Sequence, residues 1–259
     1  GRQSIDLGSA RMIKPTDIFL PFNLQTLNTE YRIGVDAFRY QTHLSELSEI
    51  DVGVIFGSEG KSENSAAYLR IQTNFRGADL KVSMIEYARQ TLYSFGIETA
   101  IKKSGFWFEV ADVQGDEHYT LVSLGLDRAL SETLFAQIEY HHNGAGTDDP
   151  SAYTQKINEI AYKKGGVTLF GNDYFLPSIS AQISPLLNLS FGAVFNLTDN
   201  SSFISLLGEW SATENFYIDL GWYHFSGRDF LELPSGVVTL GSEYGLNSDL
   251  VFTTLKYYF

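Results

Sequence analysis

Residues 187–197, LNLSFGAVFNL, place Leu187, Leu189, Phe191, Ala193, Phe195 and Leu197 on one set of alternate positions and Asn188, Ser190, Gly192 and Asn196 on the other. Successive side chains of a strand point to opposite faces, so this stretch is a strand with one apolar and one polar side. The same pattern recurs. Tyr93, Phe95, Ile97, Thr99 and Ile101 oppose Ser94, Gly96, Glu98 and Lys102, and Leu134, Ala136, Ile138 and Tyr140 oppose Gln137, Glu139 and His141. Phe216, Ile218, Leu220 and Trp222 oppose Tyr217, Asp219, Gly221 and Tyr223. Each segment runs about ten residues, the length of a tilted strand that crosses a bilayer.

Composition agrees with a wall between lipid and water. The chain has 259 residues, 44% hydrophobic and 14% aromatic, a near-neutral average that hides a membrane protein when only alternate residues are apolar. No run of 18 apolar residues exists, which excludes a helical membrane bundle. The net charge of −13 argues against a nucleic-acid binder, which needs clustered Lys and Arg to neutralise phosphates. The absence of cysteine fits an oxidising compartment, though many cytosolic proteins share it.

Reading the whole chain this way predicts fourteen strands, near 2–13, 30–41, 48–57, 66–76, 79–88, 91–102, 105–113, 118–127, 133–143, 172–184, 186–198, 202–211, 215–226 and 250–259. Tight connections at 76–79, 103–105, 128–133, 184–185 and 211–215 alternate with mostly longer ones, as periplasmic turns alternate with external loops. The expected fold is all-β: a single-domain (1–259) transmembrane antiparallel up-and-down β-barrel, closed by pairing 250–259 with the first strand. A soluble β-sandwich also alternates. The strand length, the aromatic residues near strand ends and the polar opposite faces favour the barrel. Gly1 opens directly into predicted strand, so either a leader has been removed or upstream strands are missing and the count is higher.

The last strand sets Val251, Thr253, Leu255, Tyr257 and Phe259 on alternate positions, which resembles the C-terminal signature by which outer-membrane barrels engage their insertion machinery. The stretches GRQSIDLGSARMIKPTDIFLPF, EYRIGVDAFRYQ and NDYFLPSISAQISPLLNLSFGAVFNLTDNSS resemble uncharacterised porin-like outer-membrane proteins of Gram-negative bacteria. In those an analogous GRQ segment usually follows earlier strands. The resemblance implies a bacterial outer-membrane location and a barrel, with no defined substrate, cofactor or catalytic residue. Outer-membrane lipid and lipopolysaccharide are the implied surroundings.

Two functions compete. In the first, the polar face lines a diffusion channel for small polar solutes or ions. By alternation Arg2, Arg32, Arg70, Arg76 and Lys81 point inward from the early strands and Glu98, Glu109, Glu139, Glu209 and Asp219 from the later ones, giving facing basic and acidic arcs. Local pairing, with Asp36, Asp51 and Lys102 as candidate partners, is the plainer alternative. In the second, the barrel is a sleeve or anchor for a partner protein in or on the lumen. An inward-folded loop would favour the channel; PTDIFLPF (15–22), too apolar for open water, could fold inward as a constriction or pack over the rim, and ordinary hydrophobic anchoring of a loop is the plainer reading. An embedded hydrolase would need Ser123, His141 and Asp127 brought together. No zinc spacing, EF-hand loop or glycine-rich phosphate cradle is present; Asp148 and Asp149, or Asp229 and Glu232, could bind calcium in loops, with solvated carboxylates the plainer reading, and adjacent His141 and His142 face opposite sides, so they cannot share a metal. Residues 150–164 should be a short helix, with Asp149 as N-cap, Pro150 first, Lys163 and Lys164 last, and Gly165 in the left-handed terminal position. Ile157, Ile160 and Ala161 should then rest on the barrel mouth or on loop 227–249.

Overall fold

The computed structural model describes residues 2–19, 34–57, 64–232, 236 and 238–259. The strands are β1 (Arg2–Gln3), β2 (Val35–Ser45), β3 (Ser48–Ile55), β4 (Ala66–Phe75), β5 (Ala78–Tyr87), β6 (Gln90–Ile101), β7 (Ser104–Gly115) and β8 (Tyr119–Ala129). They continue with β9 (Leu134–Asn143), β10 (Asp173–Ser184), β11 (Leu187–Asn196), β12 (Ser202–Thr213), β13 (Phe216–Ser226), β14 (Phe230–Glu232), β15 (Val238–Leu240) and β16 (Leu250–Tyr257). Fourteen form one antiparallel sheet in sequence order from β1 to β13 and then β16, while β14 and β15 make a separate hairpin. The up-and-down order follows from the alternation of tight turns and loops.

Turn chemistry fixes the tight rim. Arg76 and Gly77 join β4 to β5 with φ of 53° and 83°, the doubly left-handed turn whose twist matches a two-residue hairpin. The turns at 46–47, 102–103, 130–133, 185–186 and 214–215 lie at the same rim. Residues 56–57, 64–65 and 144–172 and the described part of 227–249 lie at the other, where the β14–β15 hairpin packs against the 144–172 loop.

The sheet has two unlike faces. Leu69, Ile71, Val82, Phe95, Leu126, Ile138, Ile179, Phe191, Leu206, Leu220 and Leu255 are exposed on one side, a continuous apolar belt that water would not tolerate but lipid covers. The other side carries Arg70, Ser83, Ser94, Glu109, Ser123, Glu139 and Asn143, all buried.

The first predicted strand is the main correction. Only Arg2 and Gln3 pair with β2, opposite Asp36 and Val35. Residues from Ser4 onward leave the sheet, and β16 pairs with β13 alone among the described strands, so the expected ladder between 250–259 and residues 2–13 does not form. The cause is that the amides of 9–13 find carboxylates on the inner wall instead of a strand partner.

The expected helix is broken in two. Asp149 caps it as read, accepting the Ser151 N–H at 2.9 Å, and Pro150 opens a 3₁₀ turn, Pro150–Ala152, leading into α1 (Tyr153–Lys156). The chain then kinks, and Glu159 takes an extended conformation before α2 (Ile160–Lys163). The Glu117 carboxylate from the β7–β8 loop receives the N–H groups of Ile160 and Ala161 at 2.7 and 2.9 Å, restarting the helix at that point. Gly166, with φ of 73°, takes the left-handed position expected at Gly165. Ala161 is buried, but Ile157 is exposed. The fully buried side chain of α1 is Tyr153, and α1 touches β15 of the 227–249 loop.

Candidate functional site

The inner face is organised around residues 5–19. Ile5, Leu7 and Ile18 are buried in one cluster with wall residues such as Ile85, Leu92, Ala111 and Val113, an apolar contact that draws the segment inward. Its backbone polar groups must then be satisfied inside. Glu109 on β7 accepts the N–H of Ser9 at 2.6 Å, of Ala10 at 2.7 Å and of Thr16 at 3.0 Å, and the Thr16 hydroxyl at 2.7 Å. Glu139 on β9 accepts the N–H of Arg11 at 3.1 Å, of Met12 at 3.2 Å and of Ile13 at 2.7 Å, with the Trp107 indole N–H at 2.7 Å. Each carboxylate thus serves four donors, which offsets the cost of burying its charge.

The segment's carbonyls are held from other strands. Arg70 donates to Asp6 O at 2.9 Å, Lys81 to Gly8 O at 2.8 Å and Ser123 to Ile13 O at 2.6 Å. Gly8 is required by this closeness, because a Cβ there would sit 2.7 Å from the Glu109 carboxylate. Strands β4, β5, β7, β8 and β9 therefore all grip one segment. It forms an inward constriction that begins earlier in the chain than PTDIFLPF. Within that motif Ile18 is buried, and residues 20–22 lie outside the described residues.

The charged candidates fall into local clusters. Arg70 pairs with Glu49 at 3.0 Å and Asp51 at 3.2 Å, and Arg39 grips Asp51 at 2.6 Å. Lys81 pairs with Glu98 at 2.7 Å, and Arg11 spans Asp127 at 2.9 Å and Glu98 at 3.9 Å while lying 5.0 Å over the Trp107 ring. Glu209 and Asp219 are directly opposed on β12 and β13, and Lys256 on β16 lies 2.8 Å from Asp219 and 4.0 Å from Glu209. Free basic and acidic arcs facing one another are thus replaced by ion pairs between neighbouring strands. Arg76 sits in the β4–β5 turn with its guanidinium over Phe75, off the lumen wall. Arg2 lines a cavity of about 450 Å³ at the loop rim with Ile55, Tyr87, Lys163 and Lys164. Arg32 lies outside the described residues. Tyr257 ends β16 on the outward side and Phe259 is fully exposed.

Ser123 and His141 do meet, with Oγ and Nδ1 2.8 Å apart. Both are buried, and the Ser123 proton is committed to Ile13 O, so the contact is best satisfied by Nδ1–H donating to Oγ. That tautomer leaves the imidazole no lone pair on the serine. Asp127 is engaged by Arg11 and the Gly105 N–H. The group pins the segment and offers no activated nucleophile.

At the loop rim a second acidic cluster was not legible in the sequence. Glu243 accepts from the Tyr174 hydroxyl, from Asn196 Nδ2 at 2.7 Å and from the Phe170 N–H at 3.1 Å. Asp199 accepts the Glu243 N–H at 2.7 Å and the Tyr153 hydroxyl at 3.1 Å. Burial pushes the Glu243 carboxyl up to about 7, and Asp199 adds to the rise. This cluster fastens loops 144–172, 197–201 and 227–249 to each other.

No protein-family model and no curated protein sequence matches the chain. Solved structures do resemble it. An improved crystal structure of OprD from Pseudomonas aeruginosa superposes with a TM-score of 0.53 at 11% identity, covering 88% of this chain and 72% of that one. A second structure of the outer membrane protein OprD from the same organism gives 0.50 at 13% identity, over 73% and 62%. A doubly substituted OccD1 (OprD) gives 0.50 at 12%, over 73% and 63%. In the last two the chain spans less than two thirds of the matched protein's length. The likeness, together with the apolar outer belt and polar inner face, gives the chain the fold of a porin-like outer-membrane β-barrel.

Proposed function

We propose that the chain forms the wall and constriction of a bacterial outer-membrane channel through which small polar solutes or ions diffuse. The observation that carries this is the segment 5–19, held against the inner wall by Glu109 and Glu139. A lumen narrowed by its own chain has the architecture of a selective pore, whereas a sleeve for a protein partner needs the width left open. The inner positions of the later strands, among them Ser180, Gln182, Asn188 and Ser190, stay exposed and polar, and they supply a path beside the segment.

The surroundings follow from this proposal: outer-membrane lipid and lipopolysaccharide against the belt, and the insertion machinery acting on the Tyr257–Phe259 end. Single-channel recording of the purified chain in planar bilayers tests it. Discrete conductance that rises when Glu109 and Glu139 are both replaced by alanine supports a constricted channel. A silent wild type that co-purifies with a lumen-filling protein would replace it with the sleeve.

A further inference from the structure

The inner face does not carry its charge evenly. Arg70, Lys81, Glu98 and Glu109 stand on β4 to β7, under or beside the inward segment, and Glu209, Asp219 and Lys256 stand on β12, β13 and β16. Between them the inner positions of β10 and β11, alternate residues from Tyr174 to Gln182 and from Asn188 to Asn196, hold no charged side chain. The half of this stripe nearer the tight-turn rim is open: Ser180, Gln182, Asn188 and Ser190 are exposed and Ser178 is half-buried. Among the described residues nothing bonds to these five side chains. They lie together, because Ser180 is opposite Ser190 and Gln182 opposite Asn188 in the β10–β11 ladder. Phe135 of β9 is directly opposite Ser180 and shares its inward side, yet it is 38% exposed. A large ring turned to water among hydroxyls and amides is out of place in a wall that is only wetted. The three strands together span about 10 Å, the length of a disaccharide.

We infer that this stripe on β9 to β11 is a subsite for uncharged polyhydroxylated solutes, sugars of one or two rings, on the tight-turn side of the constriction. The inference rests on the channel reading above and names its solute class. Serine hydroxyls and the carboxamides of Gln182 and Asn188 each donate and accept, which is what the hydroxyls of a sugar require on leaving water. Phe135 supplies a flat apolar face for the C–H side of a pyranose ring. Gly192, between Ser178 and Ser205 in the ladder, keeps the floor of the stripe low, since a Cβ there would sit 3.1 Å from Ser205 Oγ. A charged solute finds no counter-ion along the stripe. The charges that border it are committed, Asp127 to Arg11 at 2.9 Å on one side and Asp219 to Lys256 at 2.8 Å on the other. Such a solute would exchange hydration for neutral groups alone, which costs more the further it is desolvated.

Single-channel current through the full chain in concentrated potassium chloride tests this with lactose and lactobionate, a disaccharide and its carboxylate-bearing counterpart of similar size. Millimolar lactose added on the tight-turn side should interrupt the wild-type current in a saturable way, and lactobionate should do so several-fold less. A combined Phe135→Ala, Gln182→Ala and Asn188→Ala variant should need several-fold more lactose for half-block, with heat-modifiable gel mobility reporting that it is folded. Wild-type current that lactose does not interrupt, or that lactobionate interrupts equally, overturns the assignment and leaves the channel standing. So does a folded variant with the wild-type half-block. If the variant does not fold, the wild-type comparison decides alone. A wild type that conducts nothing overturns the channel reading and this one with it.

Discussion

The Glu109 carboxylate accepts the backbone N–H of Ser9 at 2.6 Å, joining positions 100 residues apart in the chain. Glu139 repeats the arrangement with Ile13 across 126 residues. Backbone amides captured by wall carboxylates thus hold against the inner wall a segment that has no strand partner beyond Gln3.

Replacing Glu109 or Glu139 by alanine should release the segment. Each amide left buried without an acceptor costs about 1–3 kcal/mol, and water entering the lumen relieves part of that. Conductance should rise, current noise should grow, and trypsin should cut after Arg11 or Lys14 in the folded protein. Protection from trypsin equal to the wild type in both variants would show that the apolar contacts of Ile5, Leu7 and Ile18 suffice alone.

Neutralising Arg70 and Lys81 by glutamine should move reversal potentials toward cation selectivity. Their removal leaves Glu49, Asp51 and Glu98 with fewer cationic partners, and a low-dielectric wall projects that excess negative charge across the pore. The shift should be largest at low salt, where screening is weakest. Reversal potentials unchanged at low salt in a conducting variant would sink the idea.

Glu243 makes the docking of the rim loops pH-dependent. Its folded pKa of about 7 lies above the usual 4.5, so between these values the docked state holds a proton that the undocked state has released. Docking is therefore strongest below about pH 4.5, weakens as pH rises through 7, and is level above that. Hydrogen exchange of residues 238–249 should be slower at pH 5 than at pH 8, after correction for intrinsic rates. Glu243→Gln should flatten the difference; a variant with the wild-type pH profile would assign the effect to another group.

Ser123 should be chemically inert despite its 2.8 Å contact with His141. A fluorophosphonate probe should leave it unlabelled in the folded chain, and Ser123→Ala should lose the hydrogen bonds to Ile13 O and His141 Nδ1, each buried partner left without one costing about 1–3 kcal/mol. Labelling of Ser123 would restore the hydrolase.

Much of the wall was legible without the structure. The period-two pattern reports sidedness residue by residue, so β4 to β13 and β16 fall within a few residues of where alternation places them. The turn at Arg76–Gly77 and the Asp149 cap depend on conformational preferences of neighbouring residues, and they too are local. Even parity was readable: Arg70, Lys81, Glu98, Glu109 and Glu139 share the polar face. What only the tertiary structure decided is what that face holds. Residues 4–13 alternate well enough to pass for strand, yet a strand needs a partner edge, and the carboxylates that take their amides lie far along the chain. Likewise, whether charges of one parity form opposed arcs or close pairs depends on register between strands, as Arg70 beside Asp51 and Asp219 beside Lys256 show. Alternation is a property of one strand, whereas the contents of a lumen are set by distances among many.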